Sequence, residues 1–178
     1  MKDLEKKLQT HETIQWLTDI MVDEKRYGTP NPKLIGGAVV DIIEGREPND
    51  FDFEGLSPKS IKELLANGFK FESDTRTATT YVYKDDLGFN IKVQDVKIPK
   101  HEFDYTISQA TYGLKSKTLD IDEVSFNSKI LIPTGYEFNQ AMSALYRIPH
   151  WKRKGYTLPE ITYASLLNSI KKVTFQKS

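Results

Sequence analysis

The chain has 178 residues, 38% of them hydrophobic, with 25 Lys+Arg against 25 Asp+Glu and no cysteine. That length suffices to bury a sizeable core in one compact domain, or in a domain with a helical appendage. A formal net charge of zero excludes a whole-molecule field that draws the protein to nucleic acid, so any such attraction needs a local patch; the missing thiols exclude a disulfide framework and thiolate metal sites.

The first 30 residues are too charged for a signal peptide, and no apolar run approaches the ~18 residues of a membrane span, so a soluble, cytoplasmic protein is expected. From Met1 to about Lys25 the apolar residues Leu4, Leu8, Ile14, Leu17, Ile20 and Met21 recur near a helical period, and "YGTPNP" breaks any continuation. Gly36-Gly37 opens "AVVDIIEG", a short buried helix closed by Gly45. "NDFDFEG" alternates polar and apolar residues as a half-buried strand does.

"SPKSIKELLANGF" has Ser at the N-cap position, Pro at the first helical position and a terminating Gly, which predicts an amphipathic helix through Leu64 and Leu65. "TATTYVY" and "GFNIKVQDVKI" read as two strands joined by the turn-rich "KDDLG". "FDYTISQATYGL" has no clear period, while "LDIDEVSF" with "KILIPTG" reads as a small β ribbon. The last stretch changes character: "EFNQAMSALYRIPHWKR" and "LPEITYASLLNSIKKV" both carry helical patterns. The expectation is an α+β body over residues 1–135 and a helical appendage over 136–178, without internal repeats.

Chemistry concentrates in one stretch. Asp50 and Asp52 are one residue apart on an expected strand, so their side chains share a face while Phe51 and Phe53 anchor the other. Adjacent carboxylates repel unless cations sit between them, and hard divalent ions such as Mg2+ prefer these oxygen ligands. A glycine pair before a helix lets backbone amides approach a phosphate, with the helix N-terminus adding partial positive charge. Taken singly, an Asp-x-Asp is more often an acidic strand edge and a Gly pair more often a tight turn. The combination of Gly pair, helix, Gly45-Arg46 and Asp-x-Asp makes a unit that can hold a triphosphate between glycine amides and carboxylates.

"GGAVVDIIEGREPNDFDFEG" resembles the signature of the head domain of tRNA nucleotidyltransferases (CCA-adding enzymes) and bacterial poly(A) polymerases, in the DNA polymerase beta superfamily. Gly36, Gly37, Val39, Asp41, Gly45, Arg46, Pro48, Asp50 and Asp52 match the family's pattern of G-G-x-V-R-D, apolar residues, G-R and D-x-D. "FDYTISQATY" is similar to the family's second motif through Asp104, Thr106, Ile107 and Tyr112, and "ALYRIPHWKRKGYTLPE" to its neck segment.

The resemblance implies a mixed sheet flanked by helices with a short helical neck, and a metal-dependent transfer of NMP from ATP or CTP to an acceptor hydroxyl, an RNA and above all a tRNA 3' end. It implies two Mg2+ ions on Asp50 and Asp52, a triphosphate held by Gly36, Gly37 and Arg46, and a sugar or base contact from Asp104. Departures are visible: Val40 replaces an Arg, Glu102 and Phe103 replace paired Arg, Ser108 replaces Asn, and no E-D-x-x-R template for base choice is found.

A third catalytic carboxylate is expected on a neighbouring strand, and Asp95 is nominated. Strict alternation puts Lys92 and Gln94 on the side of the metals and turns Asp95 away unless a β-bulge re-aims it. The basic cluster Arg147, Lys152, Arg153 and Lys154, with His150, Tyr146, Trp151 and Tyr156, joins phosphate-neutralising cations to rings that can stack on bases, and equally suits a solvated helix face with a Trp in the core. Lys171 and Lys172 can extend that patch, and His11, His101 and His150 are scattered. Two other readings stay open: a stand-alone transferase modifying a protein or tRNA in a toxin-antitoxin setting, and a decayed transferase fold kept as a binding module.

Overall fold

A computed structural model describes residues 1–22, 31–99 and 102–175. Two compact units emerge, the first comprising Met1–Ile98 with Ala110–Asp120 and the second Pro99–Gln109 with Ile121–Ser178. This division falls elsewhere than residue 135. The reason is that the chain leaves the first unit at Ile98 and returns to add two strands to its sheet, so that no single cut separates the units.

In the first unit, α1 (Lys2–Thr10) and α2 (Glu12–Met21) replace the single helix expected from the sequence. His11 separates them in an extended conformation, φ −70° and ψ 119°. Leu8 and Ile14 lie six positions apart, which is out of phase with one apolar stripe. With the chain turned at His11, α1 packs on α3 (Gly37–Ile43) and α2 on α4 (Pro58–Ala66). The expected helix end beyond Val22, most of the "YGTPNP" breaker and His101 lie outside the described residues.

The remaining elements of the first unit are β1 (Lys33–Ile35), β2 (Phe51–Glu54), β3 (Lys70–Asp74), β4 (Ala78–Lys84), β5 (Asn90–Val96), β6 (Thr111–Gly113) and β7 (Leu119–Asp120). They form one mixed sheet in the order β3-β4-β5-β2-β1-β6-β7, with β2 and β5 parallel and the other pairings antiparallel. One face carries Leu34, Phe51, Phe53, Val93 and Tyr112, all buried. On the same face Trp16 of α2 lies 5.5 Å from the Phe69 ring and 5.0 Å from that of Tyr83.

Local chemistry explains the elements read correctly. Ser57 caps α4 by accepting from the Ser60 amide at 3.0 Å, with Pro58 following. In the β4–β5 turn, Asp85 Oδ1 accepts from the amides of Leu87 and Phe89, both at 2.9 Å.

The second unit holds a 3-10 turn at Thr106–Gln109, α5 (Glu123–Ser128), α6 (Phe138–Arg153) and α7 (Glu160–Phe175). Of the ribbon expected around "LDIDEVSF", Leu119–Asp120 is a strand, β7 of the first unit, while Glu123–Ser128 is a helix instead. Asp122 accepts from the Val124 and Ser125 amides and so caps α5, which competes better than an isolated strand pairing. "KILIPTG" makes only isolated bridges, Tyr105 with Pro133 and Ile130 with Thr157. Trp151, Tyr105, Tyr156 and Leu166 are fully buried, and the Tyr105 hydroxyl donates to the Ala144 carbonyl of α6 at 2.7 Å. Among the described residues, no helix is long and apolar enough to cross a membrane.

Candidate active site

The short strand β1 is bonded on both sides, to β2 and to β6, and its end is therefore fixed in space. Gly36 follows it with φ 73° and ψ −138°, a conformation reserved for glycine, while its amide still donates to the Ala110 carbonyl at 2.8 Å. This single residue turns the chain from strand to helix, so Gly37 is the first residue of α3. Ala38 to Ile43 are buried throughout, and Lys7 Nζ of α1 donates to the Ile43 carbonyl at 2.6 Å, which satisfies part of the helix's C-terminal end.

Antiparallel pairing of β1 with β2 sets Ile35 beside Asp52. Gly36 and Gly37 follow Ile35 and Asp50 precedes β2, so the glycine pair and the two aspartates lie at the same end of adjoining strands. Phe51 and Phe53, buried to 4% and 0% exposure, fill the opposite face, leaving Asp50 and Asp52 half-buried.

Arg46 is held by two carboxylates of its own segment. Its Nε donates to Asp41 Oδ1 at 2.9 Å and its guanidinium also pairs with Glu44. Burial works against its charge, and the two carboxylates outweigh that cost, holding its pKa above the ordinary value. These ion pairs close the turn after α3. The signal was local: Asp41 and Glu44 precede Arg46 by five and two residues.

For Asp95 the strand register gives a correction. The parallel pairing of β2 with β5 runs without a bulge and sets Asp52 beside Gln94 and Phe53 beside Asp95. Asp95 therefore shares the face of buried Phe53, where its Oδ1 accepts from the Leu56 amide at 3.3 Å; burial raises its pKa, against the lowering effect of that bond. On Asp52's face the neighbour is Gln94. With its amide oriented to suit both partners, Gln94 donates to Asp52 Oδ1 at 2.8 Å and accepts from Lys92 Nζ at 3.1 Å. Thr80 Oγ1 lies 3.4 Å from the same amide.

The residues present consequently do not fit a two-ion centre built on three carboxylates. Among the described residues, no group of three or more His, Cys, Asp or Glu side chains could hold a metal ion. The place of the third ligand is taken by an amide and, behind it, an ammonium.

In the second unit, Asp104 accepts from Ser108 Oγ at 2.9 Å, and its Oδ2 lies 3.6 Å from Arg147 Nε. The carboxyl is buried, and desolvation raises its pKa against the lowering effects of Ser108 and Arg147. Arg147 is thereby committed to a pair that sequence reasoning missed, since 43 positions separate the partners and no local pattern links them. Lys152 and Arg153 are exposed. Lys154 Nζ lies over the Trp151 ring, 5.2 Å from its centre. Trp151 and Tyr156 are 0% and 1% exposed and pack edge to face, so they cannot stack on bases; Tyr146, 84% exposed, can.

The architecture is an α+β fold, one mixed sheet with helices, of the kind found in solved CCA-adding enzymes. Comparison with solved structures bears this out: at 14% identity and a TM-score of 0.70, the chain is similar to a CCA-adding enzyme in complex with CTP, over 99% of this chain and 47% of that one. It is 16% identical to the Thermotoga maritima CCA-adding enzyme complexed with tRNA, with a TM-score of 0.60 over 93% of this chain and 47% of that one. A tRNA nucleotidyltransferase with a primer tRNA and an incoming ATP analogue gives 16%, 0.58, 83% and 49%. The chain thus spans less than half the length of these structures. No protein-family model and no curated protein matches the sequence.

Proposed function

We propose that the chain is a nucleotidyltransferase that passes NMP from a nucleoside triphosphate, ATP or CTP, to an acceptor hydroxyl at the 3' end of an RNA, a tRNA in particular. The observation that carries this reading is the register of β1 with β2, which sets Asp50 and Asp52 at the strand end occupied by Gly36 and Gly37. The triphosphate arrives as its Mg2+ complex; the glycine amides would take phosphate oxygens and Asp50 and Asp52 the cationic side of that complex. The acceptor oxygen then bonds to the α-phosphorus, the bond to the bridging oxygen breaks and pyrophosphate leaves. Positioning and charge neutralisation do most of the work in such a site. The Gln94 amide is no base and Asp50 and Asp52 are given to the cationic side of the triphosphate complex, so the hydroxyl proton passes to water. Lys152 and Arg153 would meet RNA phosphates, with Tyr146 available for stacking.

The replacement of a third carboxylate by Gln94 favours a second reading, a nucleotide-binding module without transfer. Incubation with each α-labelled triphosphate, Mg2+ and total RNA separates the two. Label on RNA is the expected result; label on protein supports a toxin-like transferase, and nucleotide binding without transfer supports the module.

A further inference from the structure

The register row that joins Asp52 to Gln94 has a consequence for how many ions the site takes. A second divalent ion beside Asp52 on the β5 side would meet the Gln94 amide with its N–H turned outward, since its carbonyl oxygen is taken by Lys92 Nζ, and one hydrogen bond further the ammonium itself, which repels it. We infer that this site takes a single divalent ion, the one its triphosphate brings, and that Lys92, steered by Gln94, supplies the second positive charge. This rests on the transferase reading and specifies its substrate class: a triphosphate carrying its own ion, with a fixed protein cation beside it.

Three features support the assignment independently of activity. The β2–β5 and β4–β5 pairings both run without a register shift, so Lys92 and Gln94 cannot be exchanged for Asp95 by a local slip. Asp95 is itself engaged by the Leu56 amide on the other face. Gln94 is held from two sides, by Lys92 and by the neighbourhood of Thr80, which is 4% exposed, so its amide has a defined place from which to bond Asp52.

The test is an ion count on the full chain. Mn2+ binding is followed by electron paramagnetic resonance with a non-hydrolysable ATP analogue, beside melting curves with and without Mn2+. The wild type is expected to bind one Mn2+ per chain. The Gln94→Asp, Lys92→Met double variant is expected to bind two, and at hundredfold excess of Mn2+ over its Kd to gain about 5 °C or more in Tm beyond the wild-type gain. Lys92→Met alone is expected to bind the metal-free analogue about tenfold more weakly, as loss of one charge-assisted contact implies. Two ions per wild-type chain would overturn the inference and leave the transferase reading standing, as would an unchanged count in a folded double variant. A folded wild type that binds no nucleotide, with or without Mn2+, would instead overturn the transferase reading and the inference with it.

Discussion

Gly36→Ala tests the geometry on which the site depends. At φ 73° and ψ −138° an L-residue with a Cβ is strained, at a cost of about 1–3 kcal/mol. In a chain of 178 residues, each kcal/mol corresponds to about 2–4 °C, so Tm should fall by roughly 2–12 °C. Strain at this position has a second effect, because relief of φ must swing either the end of β1 or the first turn of α3, and with it the amides beside Asp52. Gly55→Ala provides the control. Gly55 also has a left-handed φ, 75°, with nothing within 4 Å of an added Cβ, but it follows β2 at the end remote from Asp50. Both variants should lose stability in thermal melts; only Gly36→Ala should also lose affinity for a triphosphate analogue by calorimetry, by about tenfold or more. Equal affinity losses in the two variants, or unchanged affinity in a Gly36→Ala protein whose Tm has fallen, would refute the placement of the triphosphate against these amides.

Replacing both Asp50 and Asp52 by Ala is expected to abolish label transfer while leaving the far-ultraviolet circular dichroism and the Tm near those of the wild type; full activity in the double variant contradicts the proposed site. Asp104→Asn bears on pH dependence. The free carboxyl titrates near about 3.9, and burial raises the folded value, so the unfolded chain gives up this proton first. Asp104 therefore lowers stability progressively as pH rises from about 4 through its folded pKa, and the Asn variant should escape that decline, seen as a Tm difference in its favour that grows from pH 3 to 7. Lys152→Ala with Arg153→Ala should weaken RNA binding evenly across sequences and reduce the dependence of log K on log salt by about 1 to 2 units, measured by filter binding from low to moderate salt.

The sequence was most legible where one residue type has one physical use. Ser57-Pro58 at a helix start, the Asp85 turn and the Gly45 stop are local devices, and each appears as read. The α1–α2 break was legible in principle, because the six-residue step from Leu8 to Ile14 leaves the helical phase. The helix at Glu123 was misread because "LDIDEVSF" alternates like a strand while Asp122 acts as a cap, and the cap wins. In the site, alternation along "NIKVQDV" already placed Lys92 and Gln94 beside Asp52, and the nomination of Asp95 set that periodicity aside for a bulge that is absent. What could not be read were pairings between distant segments: Asp104 with Arg147, Asp122 with Thr106, and the return of residues 110–120 to the edge of the sheet.

The two halves of the site carry different kinds of information. Gly36 is demanded by the turn from β1 into α3, so it would persist in this fold whether or not a nucleotide ever bound. Asp52, Gln94 and Lys92 lie on the face opposite the apolar residues of β2 and β5, half-buried beside Ile35 and Thr80. A third carboxylate in place of Gln94 would add like-charge repulsion that only bound cations relieve. The amide N–H at 2.8 Å, backed by Lys92, puts a hydrogen bond to Asp52 where that repulsion would stand, without any ion. It follows that the wild-type Tm should not fall when EDTA strips divalent ions from the protein, whereas the Gln94→Asp, Lys92→Met variant should melt lower in chelator and recover with Mn2+. A wild type that loses several degrees in chelator would show that ions are part of its folded site, contrary to this reading of the β2–β5 row.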